Sequence, residues 1–342
     1  MIRIALDAMG GDQGVTATAA AAARISLDRK VQVLLVGDQA RVQKALDACR
    51  HDPMHVRVHH ARDAIGMDEK PREAVEAKPE ASILVAARLV AEGQADALVS
   101  AGNTGASILA CAKFFNKIAG VPRTALAAVV PTQTVRGEKN DPFSLLLDVG
   151  ATLSADADAL VAFAHMGAAY SARISQNPRP SVALLSNGSE PFKGTPAIVE
   201  AYARLSADPR IHFIGNVEGI DLPRGKADVV VTDGFTGNVV LKMIEGISET
   251  VLDLAKFAYR SKLVWRAGLF MLSSGIRQLK QITDWRQYGG APILGFDKPF
   301  IKAHGRSGEQ AIANAIKVAA KTVRTDLCHE IMRSLAPTEE IR

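Results

Sequence analysis

The stretch TDGFTGNV, residues 232–239, follows an apolar run with a carboxylate, two glycines, a hydroxyl and an amide: Asp233, Gly234, Thr236, Gly237 and Asn238. A helical pattern begins at once behind it. A second stretch, SAGNTGA at 100–106, repeats the design with Gly102, Asn103, Thr104 and Gly105. Glycines let a ligand approach the backbone, and the Thr and Asn side chains are neutral hydrogen-bond partners. A helix starting there turns its free N–H groups and positive dipole end to the same spot. The pair points to binding of an anion such as phosphate. The plainer reading is that Asn and Thr only cap the two helices.

Carboxylates and cations gather at comparable positions. Asp7, Gly10, Gly11 and Asp12 follow the first apolar run, and Asp148 with Gly150 ends a later one. Acids placed so could hold a metal or orient cations and hydroxyls, but they repel phosphate unless compensated. The available cations are Lys193 in NGSEPFKGT, Lys242, and Lys302 with His304 and Arg306 in IKAHGRSG. Lys193, set between a polar loop and Gly194, is the strongest of them. The chain has no G-x-G-x-x-G after its first strand, no P-loop, no H-E-x-x-H and no G-x-S-x-G. Their absence weighs against a dinucleotide enzyme, a P-loop NTPase, a zinc protease and a serine hydrolase. HVRVHH at 55–60 alternates as a partly exposed strand, not as a metal site.

The elements that must position these residues alternate. Apolar, β-branched runs at 2–7, 31–37, 95–100, 124–132, 143–149, 181–186, 211–217 and 227–233 read as strands. Most are continuously hydrophobic, as in strands buried on both faces of a mainly parallel sheet. Helical patterns at 14–28, 39–49, 81–92, 103–118, 155–173, 195–206 and 236–260 lie between them. The alternation gives an α/β fold with right-handed crossovers. The chain reads as one large unit, residues 1–342, with a projecting helical segment at 255–287. Six polar clusters, at 7–12, 100–105, 148–150, 186–188, 215–216 and 233–238, end predicted strands. They are expected to share the carboxyl edge where open α/β sheets bind ligands.

Composition narrows the class further. Of 342 residues, 48% are hydrophobic and 23% charged, which is globular. Three cysteines without C-x-x-C spacing suit a reducing compartment, and the first residues carry no export signal. The net charge of +5 is regional: residues 256–286 hold seven Lys and Arg against one Asp. Within this segment Lys262, Trp265, Arg266, Leu269, Phe270, Arg277 and Lys280 mix cations with apolar anchors. The apolar run is too short to span a bilayer, and an amphipathic hairpin lying on an anionic membrane fits the pattern. Docking of an acidic partner protein fits it as well, and an ordinary core or dimer-contact helix pair is the plain alternative.

Taken in order, DAMGGD (7–12), VSAGNTGA (99–106), LLDVGA (146–151), KG (193–194), TDGFTGNVVLK (232–242), YGGAPILG (288–295) and KAHG (302–305) form a set. It resembles the PlsX family, the phosphate acyltransferases of bacterial phospholipid synthesis, over nearly the whole chain. The resemblance implies transfer of a long acyl chain from acyl carrier protein to inorganic phosphate, without cofactor or metal. It implies a three-layer, Rossmann-like fold of the isocitrate dehydrogenase and phosphotransacetylase type. It also implies a homodimer in the cytoplasm, peripherally associated with the membrane, with no nucleic-acid partner. By motif, Lys193 and Asn238 would act on the reacting phosphate and thioester. Gly102, Asn103, Thr104, Gly105, Asp233, Gly234, Thr236, Gly237 and His304 would line the substrate pocket, with Asp7, Gly10, Gly11, Asp12 and Asp148 at its edge. The chain departs from the usual pattern at Thr152, in the loop 185–190 and at Arg306. The chemistry agrees with the residues, because phosphate is already a nucleophile and a thioester is already activated, so no Ser or Cys nucleophile is needed. Rival readings are a metal-dependent NAD(P) dehydrogenase, a short-chain phosphotransacetylase using coenzyme A, and a membrane-bound adaptor without chemistry.

Overall fold

Apolar strand runs and helical patterns assemble as alternating elements in a computed structural model. It describes residues 1–136, 141–261, 290–336 and the single positions 264, 268 and 271. The strands are β1 (Ile2–Asp7), β2 (Val31–Gly37), β3 (Val56–His60), β4 (Ala97–Ser100), β5 (Ala125–Arg136) and β6 (Asp141–Leu147). They continue with β7 (Ser181–Leu185), β8 (His212–Val217), β9 (Val229–Val231), β10 (Ala291–Leu294) and β11 (Phe300–Lys302). The helices are α1 (Gly14–Leu27), α2 (Gln39–Asp47), α3 (Pro71–Ala77), α4 (Ser82–Ala91), α5 (Thr104–Phe114), α6 (Ala157–Tyr170) and α7 (Pro196–Ala207). The long α8 (Gly234–Ser261), α9 (Glu309–Arg324) and α10 (Leu327–Leu335) follow among the described residues. The expected projecting segment 255–287 enters α8 as far as Ser261. Lys262, Trp265, Arg266, Leu269, Phe270, Arg277 and Lys280 lie outside the described residues. Among the described residues no helix is long and apolar enough to cross a membrane.

One sheet of 11 strands has the order β3-β2-β1-β4-β11-β10-β5-β6-β9-β7-β8. Helices cover both faces. Ile4, Leu6, Val33 and Leu35 pack with α1 and α9 on one face, and Ala5, Val36 and Leu98 with α4 and α5 on the other. In the second half, Leu145, Leu147 and Val231 pack with α6, and Leu146 and Val230 with α8. This is the three-layer α/β arrangement expected from buried, β-branched strands.

The sheet corrects one expectation. β1, β2, β3, β4 and β11 are mutually parallel, as are β6, β9, β7 and β8. Between the two groups, β10 is antiparallel to both β11 and β5, and β5 is antiparallel to β6. Three antiparallel steps reverse the direction, so the two halves run oppositely. The polar clusters at 7–12 and 100–105 therefore sit at one edge, and those at 148–150, 186–188 and 233–238 at the other. The sixth, Gly215–Asn216, lies inside β8. What reunites the halves is α8. Its Val240, Leu241 and Ile244 pack on the β5–β6 face, and its first turns reach the centre of the sheet.

Candidate active site

Two buried carboxylates organise the loops. At the end of β1, Asp7 accepts hydrogen bonds from the Ser82 hydroxyl at 2.6 Å, the Ser100 hydroxyl at 2.7 Å and the Met9 N–H at 3.3 Å. At the end of β6, Asp148 accepts backbone N–H groups from Leu126, Gly150, Ala151 and Thr152. Burial pushes both carboxyls above the usual range, against the pull of these bonds. Each holds a turn against a glycine-rich helix start. A Cβ on Gly10 would lie 2.6 Å from Gly102 N, and one on Gly237 only 1.8 Å from Asp148 O. At those two positions any side chain would drive the loops apart. Thr152, which departs from the family pattern, accepts the Gly234 N–H on its hydroxyl at 3.1 Å.

The capping reading accounts for part of both motifs. Asn103 caps α5 by accepting the Ala106 N–H, and its amide donates to the Met67 and Glu69 carbonyls. Gly102 donates its N–H to the Ser100 hydroxyl, and Gly105 faces Pro71. Asp233 takes the N–H and the hydroxyl of Thr236, at 2.9 and 2.8 Å, and so orients the start of α8. These side chains build the loops. The group presented to a ligand is smaller.

That group surrounds a cavity of about 370 Å³ between α8, the start of α9 and the central strands. Asp12, Thr104, Asn238 and His304 of the expected residues line it, joined by Lys242, Glu245, Lys302, Arg306 and Ser307. Leu126, Ala128, Val129, Val149 and Leu241 form an apolar wall. Thr104 is the first residue of α5. Asn238 donates one amide hydrogen to Val149 O at 3.1 Å, which fixes its side chain over the end of β6. Asp12 N–H donates to Gly305 O at 2.8 Å, and Gly11 backs onto Ala101 and that same carbonyl, stitching the first loop to the KAHG loop. Lys242 pairs with Glu245 at 2.7 Å.

Lys302 is 5% exposed. Burial pushes its ammonium down to about 8, against the attraction of Asp7 and Asp12. Half-buried His304 is held below the usual imidazole range by burial and then by Lys242, with Lys302 and Arg306 adding to the effect. Lys193 is not part of the cavity lining. It stands in the loop after β7 with its ammonium 5.8 Å from the Phe192 ring centre. In the sequence Lys302 stands out only as one of several compensating cations, and Ser307 in the same IKAHGRSG stretch carries no signal of its own. Among the described residues no cluster of three or more His, Cys, Asp or Glu could hold a metal.

The family model described as fatty acid synthesis protein matches residues 2–330. A phosphate acyltransferase from Desulfitobacterium hafniense (strain Y51) is 41% identical over 336 residues, 98% of each chain. One from Dictyoglomus turgidum is 38% identical over 335 residues, again 98% of each. The chain belongs to the PlsX family. It is an acyltransferase of fatty acid and phospholipid synthesis, as the ordered motifs imply. Among solved structures, a phosphotransacetylase from Streptococcus pyogenes superimposes with a TM-score of 0.63, covering 94% of each chain at 16% identity. That likeness concerns the fold, and it agrees with the phosphotransacetylase-type architecture expected for PlsX proteins.

Proposed function

We propose that the chain transfers a long-chain acyl group from acyl carrier protein directly to inorganic phosphate. An oxygen of hydrogen phosphate forms a bond to the thioester carbonyl carbon. The carbon–sulfur bond breaks, its electron pair stays on sulfur, and the proton of hydrogen phosphate ends on the carrier thiol. The products are acyl phosphate and free carrier protein, so atoms and charge balance without an enzyme nucleophile. The observation that carries this reading is the single cavity on which a buried cation, a helix start, the Asn238 amide and an apolar wall converge. Cation and helix start suit phosphate. Asn238 suits the oxyanion of the tetrahedral intermediate. The apolar wall suits the first carbons of the acyl chain.

Lys193 is assigned by the family motif, as electrostatic partner of the phosphate or proton donor to the departing sulfur. The working unit is a homodimer. Its support is an exposed apolar row along α8, which includes Phe235, Val239, Met243, Ile247, Val251, Leu254 and Phe257. Successive members lie three or four residues apart and so share one helix face. The basic segment 256–286 serves contact with acidic carrier protein and with an anionic membrane surface, in the cytoplasm. The direct test is incubation of acyl carrier thioester with and without phosphate, followed by trapping with hydroxylamine. Phosphate-dependent hydroxamate is expected, and its absence would sink the proposal.

A further inference from the structure

Ser307 presents an unusual buried hydroxyl. It is 2% exposed, it lines the cavity, and its Oγ has no hydrogen-bond partner. Buried polar atoms are almost always paired, so one left without a partner on a residue that lines a cavity marks a place for a ligand. Two neighbours specify the charge of that ligand. Lys302, on β11, brings an ammonium with three donors, one of which goes to the Ala303 carbonyl. The N-terminus of α9 follows directly. Its cap residue, Gly308, makes no side-chain capping bond, so the first-turn N–H groups and the positive helix end are offered beside Ser307. Arg306 and His304 line the same cavity, and the opposing carboxylates are Asp12 and Glu245, the latter paired with Lys242. The Asp7 carboxylate is spent on Ser82, Ser100 and Met9.

We infer that Ser307, Lys302 and the N-terminus of α9 form the seat of inorganic phosphate, the acyl acceptor. The inference rests on the acyl-to-phosphate reading above and names its acceptor subsite. A tetrahedral oxyanion there takes a hydroxyl hydrogen bond, an ammonium and helix-start N–H groups at once. It shares the cavity with Asn238 and the apolar wall, where the thioester carbonyl is received. The lowered proton affinity of Lys302 agrees with a cation held in reserve for an anion, because burial opposes its charge until a negative partner arrives.

The test is Ser307→Ala in the full chain. The KM for phosphate should rise about tenfold or more, as for a lost hydrogen bond to a charged group, with the KM for the acyl carrier thioester unchanged. The unfolding temperature without phosphate should stay or rise, since an unpartnered buried hydroxyl has been removed. Lys302→Met should raise the phosphate KM further, with its fold checked by circular dichroism. If that variant does not fold, Ser307→Ala decides alone. Binding is read in parallel, as the rise of unfolding temperature with added inorganic phosphate. That rise should shrink in Ser307→Ala, and it judges the seat even if the wild type forms no acyl phosphate. Unchanged phosphate KM and unchanged phosphate stabilisation would overturn the inference. So would a rise in the donor KM alone, which would give the seat to a phosphodiester on the carrier's prosthetic arm.

Discussion

Lys302 links burial to a measurable pH dependence. Its ammonium, pushed down to about 8, faces Asp7 on β1, Asp12 in the following loop and His304 beyond β11. The protonated form attracts phosphate, and rising pH removes the proton. In the free enzyme kcat/KM for phosphate should therefore decline above about pH 8, by about tenfold per unit for one proton. The profile for Lys302→Arg, which stays charged, should lack this limb. Asn238→Ala should lower kcat about a hundredfold, as for loss of one oxyanion donor. Lys193→Ala should do so comparably, and normal turnover would remove Lys193 from the mechanism. Asn238, Thr104, His304 and Asp12 were legible because their polar types stand out at glycine-rich turns. Lys302 and Ser307 were not, because a lysine in a sequence reads as solvated by default. Only the insertion of short β11 between β4 and β10 buries Lys302.

Helix α8 supplies a matched pair of substitutions at the scale of the element. Gly237→Ala should destabilise the protein by about 1–3 kcal/mol or more, because its Cβ would strike the Asp148 carbonyl. Gly246→Ala, with nothing near its Cβ, should stabilise it by about 0.5–1 kcal/mol through helix propensity. Denaturant unfolding of both variants measures the contrast, and equal effects would refute the close approach of α8 to the 148–152 turn. The helix and its glycine-rich start were readable from the pattern, as were nine of the strands, eight as apolar runs and β3 as an alternating one. The four-residue β10 and three-residue β11 were too short to show. Those two strands, with β5, reverse the sheet, and no local pattern encodes the sense in which distant strands pair. The six clusters therefore looked like one edge, when five of them occupy two edges and the sixth lies inside β8.

For the whole molecule, the exposed row on α8 ties the proposed assembly to the site, since the same helix carries Asn238 to the cavity. Ile247→Glu combined with Val251→Glu places charge in the middle of the row, away from the cavity. Sedimentation should show a dimer for the native chain and a monomer for the double variant, and a native monomer would contradict the proposed assembly. Vesicles rich in anionic lipid should bind the chain at low salt and release it as salt rises. The fold class and the family were both legible from the ordered motifs, whereas the surface proposed to face a second copy depends on which side of α8 the sheet leaves uncovered. The central claim is direct transfer to phosphate inside one cavity, and one measurement reaches it. Enzyme in excess over acyl carrier thioester is followed by thiol release and by intact protein mass, before and after phosphate is added. Direct transfer gives no thiol and no mass gain without phosphate, then one thiol released per acyl phosphate formed. A burst of thiol with an acylated enzyme before phosphate arrives would contradict it.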